Sequence, residues 1–156
     1  MINFICTANI CRSPMAEYLF AEELKKLAQK DPKWAKLKSV STGVAANDGN
    51  PISPNSQKAL MELGIDASAH KSRFLTQELL DESLAVFCMT SMHKLMIEMR
   101  YDTSHTHVHL LRDFLKGDVE REVGDPYGGT LEEYRHCREQ IAEAMPSVVS
   151  YLKKLI

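Results

Sequence analysis

The chain opens with an apolar run that passes straight into a cysteine-bearing loop and then into a proline-started helix. No other feature constrains the fold as much. Residues 2 to 5 (Ile2-Asn3-Phe4-Ile5) read as a short buried strand. Cys6-Thr7-Ala8-Asn9-Ile10-Cys11-Arg12-Ser13 follows at once, and Ser13 in a cap position with Pro14 in the first turn marks a helix start. The inward stripe of that helix is Ala16, Phe20, Leu24 and Leu27. A strand leading directly into a helix asks for a further strand beside the first, and the rest of the chain supplies the pattern. Residues 38 to 42 read as a strand ended by Gly43. Ser53-Pro54 starts a second helix that carries Ala59, Leu60 and Leu63 inward and stops at Gly64. A short helix follows Thr76, and residues 84 to 89 form a continuous apolar run, as in a strand buried on both faces. A helix over 91 to 99, a strand over 106 to 111 and a last helix complete the alternation. The last helix opens on the capping box Thr130 and Glu133, with Tyr134, Ile141, Met145, Val148 and Leu152 inward.

This alternation predicts an α/β fold: a three-layer α/β/α arrangement around a four-stranded parallel sheet. There is no internal repeat, low-complexity tract or linker, so residues 1–156 are expected to form a single domain. In such sheets ligands bind where strand ends meet helix starts, which points to residues 6 to 13.

The formal net charge is -2, with no block of like charge. That gives no electrostatic reason to expect nucleic acid or an anionic membrane as partner. No apolar stretch has the length of a bilayer span. The N-terminal residues lack the basic lead and long apolar core of a signal peptide. A cytoplasmic location is therefore expected, where the four cysteines would be reduced thiols. A monomer is expected by default.

Five residues separate Cys6 from Arg12. A loop of that length between a strand and a helix can curl so that its backbone N–H groups converge on one point, as in anion-binding nests. The helix N-terminus adds its positive dipole end there. Arg12 can add a planar fork for two phosphate oxygens. A thiol in such surroundings loses its proton more readily, and the thiolate is a nucleophile toward phosphorus. Ser13 is placed to donate a hydrogen bond to the sulfur when it leaves. Taken alone, a cysteine and an arginine at this spacing fit a buried core thiol near a surface arginine equally well. The flanking strand and helix start shift the balance toward chemistry.

Cys6 to Ser13, followed by Pro14-Met15-Ala16-Glu17, resembles the signature Cys-x-Gly-Asn-x-Cys-Arg-Ser-Pro of the low-molecular-weight protein-tyrosine phosphatases. Asp125-Pro126-Tyr127 resembles that family's general-acid motif. The resemblance runs over essentially the whole chain. It implies the phosphotyrosine protein phosphatase I-like fold and hydrolysis of phosphotyrosine through a cysteinyl-phosphate intermediate. It implies Cys6 as nucleophile, Arg12 as phosphate clamp and Asp125 as general acid, on a phosphorylated protein or peptide and without a cofactor. Thr7, Ala8, Asn9, Ile10 and Cys11 would line or support the phosphate cradle. Asn9, Ser13 and a distant His70 would hold it rigid, and Tyr127 and Asp48 would flank the substrate cleft. The matching cysteine pair in the family forms a protective disulfide, which would make Cys6 and Cys11 redox partners. Cys88 and Cys137 read as packing.

One departure from the family pattern bears on cradle geometry and rate, and two further features bear on substrate. Ala8 stands where the family has glycine, which is costly if that position needs positive φ or close approach to phosphate. The loop Ala45-Ala46-Asn47-Asp48-Gly49 lacks the aromatic residue that many members place there. The run Asp125 to Thr130 also resembles the branch containing protein arginine phosphatases, which carry threonine at the position of Ile10. Apolar Ile10 suits an aromatic phosphoester better than a guanidinium, whose N–H groups need acceptors. Phosphotyrosine is therefore the favoured substrate and phosphoarginine the alternative. Arsenate reduction ranks below both, because Cys88 has no partner cysteine within ten residues. The alternating His105, His107 and His109 could line one strand face, but no acid or cysteine stands at ligand spacing, and no metal site is expected.

Overall fold

The computed structural model describes all 156 residues. Its elements run β1 (Ile2–Cys6), α1 (Arg12–Lys30), a 3-10 turn (Pro32–Lys36), β2 (Ser39–Gly43), α2 (Pro54–Met61), α3 (Gln77–Asp81), β3 (Ala85–Cys88), α4 (Ser91–Arg100), β4 (His107–Leu110) and α5 (Leu131–Lys153). The four strands form one parallel sheet in the order β2-β1-β3-β4. The two central strands, β1 and β3, are buried along their whole length, whereas edge strand β4 is part-exposed.

Side chains alternate between the two faces of each strand, and two apolar cores result. Ile2, Phe4 and Phe87 pack with Phe20 of α1 and with Ile141, Met145 and Val148 of α5. The Phe4 ring centre lies 5.5 Å from that of Phe20 and 5.8 Å from that of Phe87. On the opposite face Ile5, Val86 and Cys88 pack with Leu75, Leu80 and, on α4, Ile97. This is the expected three-layer α/β/α arrangement. The C-terminal ends of β1 and β3 open onto the segment 7 to 11 and onto the start of α4.

Three local expectations change, and one short element is new. Leu63 is 52% exposed, because α2 ends at Met61 and the turn through Gly64 (φ 75°) carries Leu63 off the helical stripe. Ser13 lies inside α1, whose N-cap is Cys11 without a side-chain bond. The Ser13 hydroxyl is used elsewhere, as described below. At α5 the cap is one-sided: Thr130 Oγ1 accepts from Glu133 N at 3.3 Å, and no bond returns from Glu133 to the Thr130 amide. The reciprocal capping box occurs at α4 instead, between Thr90 and His93. The 3-10 turn, built on Asp31 accepting from Lys33 N and on buried Trp34, is too short to leave a helical stripe in the sequence.

Candidate active site

Residues 7 to 11 form a loop whose carbonyls are held from outside. The Cys6 and Thr7 carbonyls accept from Val44 N (3.0 Å) and Ala45 N (2.9 Å), just after β2. Ile10 O accepts from Ser53 N (2.8 Å), Cys11 O from Ser56 Oγ (3.1 Å) and Asn9 O from His70 Nε2 (2.8 Å). By contrast, the backbone N–H groups of Thr7, Ala8, Asn9, Ile10 and Cys11 donate to no protein acceptor. Backbone amides left unpaired together in one tight loop make an anion nest. Gly43 shapes its back wall: a Cβ there would stand 2.5 Å from Thr7 O and 3.0 Å from Asn9 N.

The loop turns on Asn9, the one non-glycine residue with positive φ (58°). Its side chain is fully engaged. Nδ2 donates to Ser13 Oγ (2.8 Å) and Ser41 Oγ (2.9 Å), and Oδ1 accepts from Arg73 N (2.9 Å). Ser41 Oγ in turn donates to Glu17 Oε1 at 2.6 Å. Ala8 does not have positive φ, so the glycine-to-alanine departure puts no strain into the backbone here. Burial pushes the Glu17 carboxyl up and the His70 imidazole down, which keeps His70 neutral with its Nε2–H on Asn9 O.

Cys6 Sγ sits at the end of β1, 3.0 Å from Ser13 Oγ. Ser13 Oγ accepts from Asn9, and its own proton has two acceptors in reach, the sulfur and the more distant Thr42 carbonyl at 3.4 Å. Arg12 is 4% exposed. Its Nη1 donates to Val123 O at 3.0 Å, and Nη2 reaches Thr7 Oγ1 at 3.5 Å. Buried Nε has no partner. One edge of the guanidinium is therefore anchored, while Nε and Nη2 remain for a bidentate oxyanion. The same anchor positions the acid. Val123 N donates to Met89 O at the end of β3, and Val123 O is held by Arg12. Two residues on, Asp125 Oδ2 lies 3.8 Å from Arg12 Nη2, and its Oδ1 accepts from Tyr127 N at 3.0 Å. Cys6, Thr7, Ala8, Ile10, Cys11, Arg12, Asp125 and Tyr127 line one cavity of about 280 Å³.

A model of the low molecular weight phosphotyrosine protein phosphatase family matches residues 1–155. The chain belongs to that family. It is 34% identical to a protein-arginine-phosphatase of Bacillus subtilis, over 98% of this chain and 97% of that protein. It is 38% identical to a protein-arginine-phosphatase of Geobacillus stearothermophilus, over 90% of this chain and 87% of that one. The crystal structure of a low molecular weight protein tyrosine phosphatase from T. tengcongensis superposes with a TM-score of 0.81 at 31% identity, covering 96% of this chain and 97% of that chain. The family fixes the enzyme class as a cysteine-dependent phosphatase acting on phosphorylated protein, with the phosphotyrosine protein phosphatase I-like fold.

Of the residues expected at the site, the structure places all but Asp48 in or against the cradle. The Asp48 carboxylate caps Phe74 N at 2.8 Å, and it does not line the cavity around Cys6. Cys11 Sγ lies 3.4 Å from both Ser53 Oγ and Tyr134 Oη, and burial pushes its thiol up. Cys88 and Cys137 are buried free thiols, one in each core. His109 is tied to Tyr151 Oη at 2.9 Å, and His107 is exposed. No helix is long and apolar enough to cross a membrane.

Several structural members of the site left no readable signal. Gly43 reads in the sequence only as the end of a strand, Ser41 only as a member of that strand, and Glu17 only as the close of the run that carries the family resemblance. His93 was missed because a histidine at the third position of a helix does not have the Glu or Gln expected of a capping box. Its Nδ1 accepts from Thr90 N at 3.2 Å, and its Nε2 lies 2.9 Å from Thr7 Oγ1.

Proposed function

We propose that this phosphatase hydrolyses phosphotyrosine in proteins, with Cys6 as nucleophile, Arg12 as phosphate clamp and Asp125 as general acid. The observation that carries the site assignment is that the amides of residues 7 to 11 and Arg12 Nε are all left unpaired where the loop lines one cavity with Cys6 and Arg12. A phosphoryl group seated there accepts from the loop amides and from Arg12 Nε and Nη2. In the first step the sulfur attacks phosphorus, the bond from phosphorus to the leaving oxygen breaks, and Asp125 passes its proton to that oxygen. In the second step the Asp125 carboxylate takes a proton from water, the water oxygen attacks phosphorus, and the phosphorus–sulfur bond breaks. The Ser13 hydroxyl stabilises the sulfur as it leaves. No step requires a cofactor.

The preference for phosphotyrosine rests on Ile10 and Tyr127, the side chains that line the cavity beyond the phosphate position. Ile10 and the Tyr127 ring offer apolar surface to an aromatic ring, and Ile10 offers no acceptor to a guanidinium. Phosphoarginine is the second reading, supported by the relatives at 34% and 38% identity that are named as protein arginine phosphatases. Comparing phosphotyrosine and phosphoarginine peptides of one sequence decides between them. A higher kcat/KM on phosphotyrosine that Ile10→Thr diminishes supports our reading; a preference for phosphoarginine in the wild-type protein refutes it. We further propose that residues 1–156 act as one catalytic domain in the cytoplasm. The shared sheet between the two cores and the four free thiols support this reading.

A further inference from the structure

His93 lies at the start of α4, on a different element from every other member of the cradle, and is 3% exposed. Its two ring nitrogens have fixed and opposite roles. Thr90 N is a donor only, and it points at Nδ1 from 3.2 Å. Nδ1 therefore carries the lone pair, and the ring proton sits on Nε2. Burial, and then the neighbouring Arg12 charge, hold the imidazole down to about 4, so the ring is neutral when the enzyme works. Nε2–H then donates to Thr7 Oγ1 at 2.9 Å.

Arg12 Nη2, which can only donate, approaches the same oxygen at 3.5 Å. Thr7 Oγ1 thus faces two donors, which take its two lone pairs. Its own proton is left without a protein acceptor. The Thr7 side chain is exposed and lines the cavity with Cys6, Arg12 and Asp125. From this geometry we infer that His93 is a positioning residue: its Nε2–H fills the Thr7 oxygen so that the Thr7 hydroxyl proton is delivered to a phosphoryl oxygen in the cradle. Thr7 thereby becomes a side-chain donor in the phosphoryl-binding ring, oriented in advance from a helix that contributes nothing else to it. This deepens the assignment of the cradle and rests on it.

The test is a double-mutant cycle on Thr7 and His93, read as kcat/KM for an aryl phosphate, with the protein's 15N spectrum as a second readout. Thr7→Val keeps the shape of the side chain and removes the donor. It is expected to lower kcat/KM by about ten- to a hundredfold, the range for losing one hydrogen bond to a charged group. His93→Ala frees a hydroxyl rotor with three staggered wells and is expected to cost about three- to tenfold in the Thr7 background. In the Thr7→Val background the same change should cost under about twofold, since no proton remains to be aimed. An equal cost in both backgrounds would mean that His93 only supports the fold, and the inference would be wrong. In the 15N spectrum at neutral pH, His93 Nε2 should be protonated and Nδ1 bare; the reverse tautomer would also overturn the inference. If Cys6→Ser retains turnover, the cradle assignment itself has failed, an outcome that the cycle on Thr7 and His93 does not mimic.

Discussion

Gly43→Ala puts a single methyl group behind the phosphate cradle, and the structure sets the size of its effect. The new carbon would stand 2.5 Å from Thr7 O, 2.9 Å from Ala46 Cβ and 3.0 Å from Asn9 N. Ordinary contact with Thr7 O starts at about 3.4 Å, so the two must separate by about 0.9 Å. Gly43 cannot retreat, because its N–H donates to Arg73 O (2.9 Å) and its carbonyl accepts from Leu75 N (3.0 Å) on the far side. The displacement therefore falls on Thr7 to Asn9, whose amides form the nest. Overpacking of this kind costs about 1–3 kcal/mol of stability. A misplacement approaching 1 Å in a catalytic constellation costs on the order of a hundredfold in rate. We expect Gly43→Ala to remain folded in denaturant titration while kcat on an aryl phosphate drops about a hundredfold. Activity within twofold of wild type would refute the reasoning, since it would mean that the loop carbonyl is not fixed against β2.

Asp125→Asn should slow substrates with poor leaving groups by about 10²–10⁴-fold and activated aryl phosphates much less, because only the former need the proton; a uniform effect across leaving groups contradicts the acid role. Mild peroxide should inactivate reversibly by oxidising Cys6 to the sulfenic acid, whose sulfur the Cys11 thiol then attacks with loss of water to give a Cys6–Cys11 disulfide visible by mass spectrometry; inactivation without that crosslink leaves Cys11 as packing. Stability should fall as pH drops from 6.5 toward about 4. His93 is held down to about 4 in the folded protein against 6.5 when unfolded, so the unfolded chain binds the extra proton first. A gap of about 2.5 in pKa, at about 1.36 kcal/mol each, amounts to roughly 3 kcal/mol. Denaturant titrations of wild type and His93→Gln should diverge in that window; parallel acid sensitivity would show that His93 does not titrate this way.

The sheet was legible because β3 is a continuous apolar run, β1 is apolar but for Asn3, and α1, α2 and α5 carry stripes at helical period. The catalytic loop was legible because its residues are contiguous, from Cys6 to Ser13. The support around it was not. Gly43, Ser41, Glu17 and His93 reach the cradle only through the register that sets Cys6 beside Gly43 and through the placement of α4, and neither leaves a local pattern. Ser13 illustrates the difference: as sequence it resembles a helix cap, whereas in the fold its hydroxyl faces Cys6 and Asn9. Asp48 erred the other way, since proximity of its loop to the cleft does not place its side chain there.

The central claim is that phosphoryl transfer passes through the sulfur of Cys6. Rapid acid quench of the enzyme during turnover of a labelled aryl phosphate, followed by peptide mapping, tests it most directly. The account predicts a phosphoryl group on the peptide bearing Cys6, accumulating further in Asp125→Asn as water attack slows. Turnover with no phosphoenzyme, or with the label on any other residue, would contradict it.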